Sequence, residues 1–139
     1  MIVSAKSEYA CLAVLALARQ GAGSSPLRIR EISGTYGIPE RYLVQILLRL
    51  KVAGLVASTR GAAGGYRLAR AASSISLGEI LTAVEGPDTA GRQSSGAKRA
   101  TASVLDPIWD LVRAAERAVL DRTTIAELAA VDSPEEWII

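Results

Sequence analysis

Residues 39–68 read PERYLVQILLRLKVAGLVASTRGAAGGYRL, and the fold turns on this stretch. Leu43, Ile46, Leu47 and Leu50 recur at the i, i+3, i+4, i+7 spacing of one helical face, so they are expected to point into a core. Pro39 suits the first turn of that helix, where its missing N–H is not needed, and Gly54 suits its end. The opposite face carries Arg41, Gln45 and Arg49. Val44, Leu48 and Val52 lie among them and are read as packing against a neighbouring helix, the alternative being contact with thymine methyl groups. Two short strands follow, Leu55–Ser58 and Tyr66–Ala69. They flank Thr59–Gly65, where three glycines permit a tight turn and close backbone approach to a partner.

Upstream, Ile29, Ile32 and Tyr36 keep helical spacing in a short helix that Gly37 is expected to stop in a left-handed cap. Residues 20–26 (QGAGSSP) read as a loop. Ser7 to Arg19 is apolar almost all round, which marks a helix buried on most sides. Downstream, Ser76-Leu77-Gly78-Glu79 is a capping box opening a helix to about Val84. Residues 86–103 (GPDTAGRQSSGAKRATAS) are linker-like. Asp106-Pro107 then reads as the N-cap and first residue of a helix that lines up Leu105, Ile108, Trp109, Val112, Ala115 and Val119 on one stripe. Thr124 opens a short helix ending near Val131, and Ser133–Ile139 repeats a start signal before an apolar end. The expected organisation is a domain at 1–85, a linker at 86–103, a helical segment at 104–131 and a tail at 132–139.

Composition narrows the function. Half of the 139 residues are hydrophobic, aromatics make up 4% and Phe is absent, so the core is built from Leu, Ile, Val and Ala, as packed helices allow. With no His and one Cys, neither a thiolate or imidazole zinc site nor a Ser-His triad can be assembled. Cys11 is expected to be a small core residue rather than a redox sensor. The apolar run Tyr9–Ala18 is too short to span a bilayer and reads as a buried first helix rather than a signal-peptide core, so a cytoplasmic protein with no membrane contact is expected. Net charge is +2, yet residues 1–75 carry +7 and residues 76–139 carry −5. The basic half suits a polyanion.

A helix offering Arg41, Gln45 and Arg49 before a basic, glycine-rich hairpin is how a winged helix-turn-helix grips duplex DNA. Arg pairs bidentately with guanine and Gln with adenine. Arg60, at the tip of the turn, suits a narrow, electronegative minor groove. Arg67, Arg70, Lys6 and Lys51 are expected to be phosphate neighbours at most. The glycine run lacks a Gly-Lys-Ser/Thr ending, which excludes a nucleotide-cradling loop. Glu79 and Glu85 have no nucleophile or metal to pair with, so no enzyme is expected.

In order and spacing, KSEYACLAVLALA, IPERYLVQILLRLKVAGLV, RGAAGGYRL and ISLGEILTAVEG resemble the Rrf-two family of bacterial winged-helix regulators, over roughly residues 1–131. The resemblance implies a mainly α fold: a winged helix-turn-helix with a two-stranded wing, plus a long C-terminal dimerisation helix. It implies a homodimer on a partly palindromic DNA operator, with the Leu105–Val119 stripe as the dimer interface. The third helix would enter the major groove, with Arg41, Tyr42 and Gln45 facing the operator, while Arg60 reaches the minor groove. The DNA-contact set is then Arg41, Tyr42, Gln45, Arg49, Arg60, Gly61, Gly64 and Gly65.

Two departures matter. Many members carry three linker cysteines that ligate an iron–sulfur cluster, and residues 86–103 have none. Val44 stands where the family often has Glu, and Leu48 and Val52 lie near positions that are often basic. The expectation is therefore a cytoplasmic, homodimeric repressor without a cluster or other cofactor, with the linker open to a small-molecule effector or a protein partner. The alternative is a winged-helix protein-interaction adaptor with weak DNA binding.

Overall fold

The computed structural model describes residues 3–21, 24–86 and 99–131, with side chains in the last segment from residue 104. The chain begins with α1 (Ala5–Gln20), two residues ahead of expectation, because the Ser4 hydroxyl caps it by accepting from the Ser7 N–H at 3.1 Å. Helix α2 (Ile29–Tyr36) starts at Arg28, whose side chain has no acceptor to offer. Glu31 instead reaches back and accepts from the Arg28 N–H at 2.9 Å. Gly37, at φ +69°, closes α2 in the left-handed conformation expected of it.

Helix α3 (Glu40–Val52) is the second helix of the helix-turn-helix. Pro39 is its cap rather than part of its first turn: its backbone is extended (ψ 130°), and its carbonyl accepts from the N–H groups of Tyr42 and Leu43. Leu43, Ile46, Leu47 and Leu50 are all buried, as their spacing requires. The wing is a hairpin of β1 (Val56–Thr59) and β2 (Gly65–Leu68), antiparallel, with Val56 opposite Leu68 and Thr59 opposite Gly65. Both strands sit one residue away from expectation. Leu55 is buried in the core, its N–H bonded to the Leu50 carbonyl, so it finishes the helix instead of opening the strand.

After a single 3-10 turn at Ala72–Ser74, the Ser76–Glu79 capping box forms as read, with reciprocal bonds of 3.1 and 3.2 Å, and opens α4 (Leu77–Glu85). The next helix corrects the sequence reading. It runs as α5 (Arg99–Arg122) with Pro107 inside it, not from an N-cap at Asp106. A proline removes one backbone hydrogen bond, and the remaining turns carry the helix past it. Helix α6 (Ile125–Ala129) follows, capped by the Thr124 hydroxyl. The residues 132–139, with their expected start signal, lie outside the described residues, as does most of the 86–103 linker.

One core joins these elements. Val14 of α1, Ile32 of α2, Leu43 and Leu47 of α3, Ile80 of α4 and Ile125 of α6 are all fully buried in it. Each such aliphatic side chain contributes about 1.5–3 kcal/mol by leaving water. A bridge between Ser76 and Thr124 pulls α6 back to the N-terminal helices through the bonds Leu77 N–H to Thr123 O and Ile125 N–H to Ile75 O. The end of α5 lies against α4 at Gly78, where a Cβ would strike the Asp121 carboxylate. Arg117 fastens this contact, donating to the Gly78 carbonyl (3.3 Å) and the Thr82 hydroxyl (3.0 Å).

Candidate nucleic-acid interface

Because its four buried residues fill one side of α3, the other side must face out. Arg41, Gln45, Leu48 and Val52, at i, i+4, i+7 and i+11, lie opposite the buried row, with Val44 and Arg49 beside them, and all six are exposed. This overturns the expected packing of the aliphatic three: Val44 is 47% exposed, Leu48 55% and Val52 82%. Within the described residues, α3 meets α1, α2, α4 and β1, and its outward side chains stay exposed. Tyr42 is half-covered: its ring stacks on Tyr9 of α1 (centroids 6.1 Å apart), and the Arg41 guanidinium sits 5.1 Å from the same ring. Tyr42 thus steadies Arg41 from below.

The wing is fixed to the body of the protein by an antiparallel bridge, Leu27 to Tyr66, with N–H···O distances of 2.9 and 2.7 Å. The three wing glycines divide their work. Gly61, at φ +103°, is exposed with open space where a side chain would be. Gly64 is buried inside the turn, its N–H bonded to the Gly61 carbonyl, and a Cβ there would collide with the Thr59 carbonyl. Gly65 presses on Leu27, whose carbonyl oxygen would lie 2.5 Å from an added Cβ. Gly64 and Gly65 therefore shape the wing, and Gly61 offers accessible backbone. Arg60 stands exposed beside it.

Two further cations escaped the sequence reading. Arg28 and Arg30, at the start of α2, join Thr59 and Gly61 of the wing around an open groove of about 350 Å³. The basic pair in LRIREI was visible in the sequence, but its meeting with the wing depends on the Leu27–Tyr66 bridge. Among the described residues, Arg28, Arg30, Arg41, Arg49, Lys51 and Arg60 make no ion pair. Other cations are bound within the fold. Arg70 grips both Glu79 oxygens at 2.8 and 3.0 Å, and this bond holds the Glu79 carboxyl below the usual carboxylate range. Lys6 pairs with Glu85, and Arg67 donates to the Thr59 hydroxyl. Six cations without an ion pair thus gather on α2, α3 and the wing, and Arg122 at the end of α5 is a further one.

The metal donors are few. Cys11 is half-buried on α1, and burial, with a smaller push from Glu8, raises its thiol to about 11, so it stays protonated at neutral pH. No cluster of three His, Cys, Asp or Glu side chains occurs among the described residues.

A helix-turn-helix followed by a two-stranded wing places the molecule among winged-helix DNA-binding proteins. Residues 3–131 match the model of the Rrf2 family, described as an iron-dependent transcriptional regulator, and the chain belongs to that family. It is 34% identical over 139 residues to the transcriptional regulator CymR of Bacillus subtilis, covering 98% of this chain and 95% of that protein. The solved structure of B. subtilis CymR, titled the global cysteine regulator, superposes with a TM-score of 0.74 at 33% identity, over 94% of this chain and 97% of CymR. IscR of T. potens gives 0.77 at 32% identity, over 99% and 96%. The chain is thus a DNA-binding transcriptional regulator, from a family of regulators and not of enzymes. No helix among the described residues is long and apolar enough to cross a membrane.

Proposed function

We propose that the chain is a cytoplasmic, homodimeric, sequence-specific repressor that binds a palindromic operator without an iron–sulfur cluster. The supporting observation is the gathering of unpaired cations on α2, α3 and the wing, next to Gln45 on the outward side of α3. Arg28, Arg30 and Lys51 neutralise phosphates and release counterions, so affinity falls steeply with salt. Arg41, Gln45 and Arg49 meet base edges in the major groove, Tyr42 supports Arg41, and Arg60 enters the minor groove beside Gly61. Two copies pair through Leu105, Ile108, Trp109, Val112, Ala115 and Val119, which sets the two α3 helices about one DNA turn, roughly 34 Å, apart.

The family's iron chemistry does not fit these residues. A cysteine- or histidine-ligated centre needs several donors, and the whole sequence supplies one thiol and no imidazole. The signal therefore reaches the protein as a small-molecule effector or a protein partner, for which residues 86–103 are the candidate receiving segment.

The test is selection of genomic DNA fragments by the purified protein at near-physiological salt. Enrichment of a common inverted repeat is expected. Uniform recovery of all fragments would refute sequence-specific binding. A second reading, an adaptor whose main partner is a protein, is favoured by the apolar stripe of α5 and the −5 charge of residues 76–139. Strong salt dependence of operator binding would exclude it.

A further inference from the structure

We propose that Val44 and Leu48 read thymine methyl groups, so that each half-site carries thymine at two positions beside the base pair met by Gln45. This rests on the base-reading function proposed above and adds the chemistry of two more positions. Both side chains are exposed, 47% and 55%, on the outward side of α3 that also carries Arg41 and Gln45. Neither can donate or accept a hydrogen bond. In the major groove their one apolar counterpart is the C5 methyl of thymine.

Spacing supports the pair. A helix rises 1.5 Å per residue, so Val44 and Leu48 are about 6 Å apart along α3, close to two base-pair steps of about 3.4 Å. Gln45 lies on the adjoining strip of the same outward side, beyond Leu48 from Val44. The surrounding charge identifies the occupant. Arg41, Arg49 and Lys51 against Glu40 make α3 net positive, which suits a polyanion and repels a basic protein surface.

Deoxyuridine lacks only the methyl group of thymidine, and this makes the test specific. The probe is the inverted-repeat duplex enriched from genomic fragments, prepared with each thymine in turn replaced by uracil, and read by fluorescence anisotropy. Two uracil positions per half-site should each weaken binding about fourfold. Val44→Ala should abolish the sensitivity at one position and Leu48→Ala at the other. Alanine at these exposed sites favours the helix, and the unmodified protein alone already gives the uracil series. Specific binding that is indifferent to every uracil would overturn the methyl-reading proposal and leave base reading by Gln45 intact. Loss of methyl sensitivity in neither variant would overturn the assignment to these residues. Failure to enrich any sequence would overturn the base-reading function, and this inference with it.

Discussion

Two apolar surfaces of this molecule are open to solvent, and they differ in their surroundings. Leu48 on α3 and Trp109 on α5 are 55% and 47% exposed. Around Leu48 the cations have no carboxylate partners. On α5 two of them have: Arg113 pairs with Asp110, and Arg117 holds Asp121 at 3.0 Å, while Arg122 at the helix end makes no ion pair among the described residues. Beside these paired charges the apolar stripe of α5 suits a second protein surface, as proposed above. Around Leu48 the unpaired charges suit a polyanion. On the function proposed above, the same hydrophobic exposure would serve two kinds of partner, separated by neighbouring charge.

The largest effect that would break this contrast lies on α5. Trp109→Glu places a carboxylate in the proposed seam. Light scattering should then report a monomer, and operator affinity should fall on the order of a hundredfold as two linked half-sites become one. A dimer of unchanged mass would remove α5 from the interface.

On the basic surface, Arg60→Ala should weaken binding roughly tenfold, by loss of a charge-assisted contact, with the greatest loss at sites with A·T-rich flanks. Equal affinity of both proteins for such duplexes would sink the wing assignment. Gln45→Ala should relax discrimination at one base pair per half-site by about 1–3 kcal/mol, measured on a panel of single-base operator variants. A uniform loss across the panel would instead make Gln45 a phosphate contact.

The smallest effect concerns a cation that is already paired. Arg70 holds the Glu79 carboxyl below its ordinary range, so this pair's stabilisation is complete above the unfolded carboxylate pKa of about 4.3 and is lost as pH falls through the lower folded value. Both side chains are more than a third exposed, so Glu79→Gln should cost less than about 1 kcal/mol in chemical denaturation at pH 7 and flatten the acid limb below pH 4 or so. Operator affinity should be unchanged. A large loss of affinity would move Arg70 into the DNA-contact group.

These distinctions were unequally legible in the sequence. Leu43, Ile46, Leu47 and Leu50, the Gly37 cap and the Ser76–Glu79 box could be read because each depends on residues within one or two turns. Pro107 misled because a local start signal was outweighed by helix continuing on both sides of it. Spacing placed Leu48 and Val52 outward, but only the assembled fold shows that no described helix covers them. Ile125, the meeting of Arg28 with the wing and the separate tasks of Gly61, Gly64 and Gly65 all arise from contacts between distant segments. No local pattern encodes these.

In the function proposed here, the side formed by α3 and the wing distinguishes one DNA sequence from another. The most direct test is a titration of the purified protein, across a salt series, against the selected inverted-repeat duplex and a scrambled duplex of the same composition. Both affinities should fall steeply with salt while their ratio stays at roughly a thousandfold or more, the range of specific regulators. A ratio near one at every salt concentration would contradict that function.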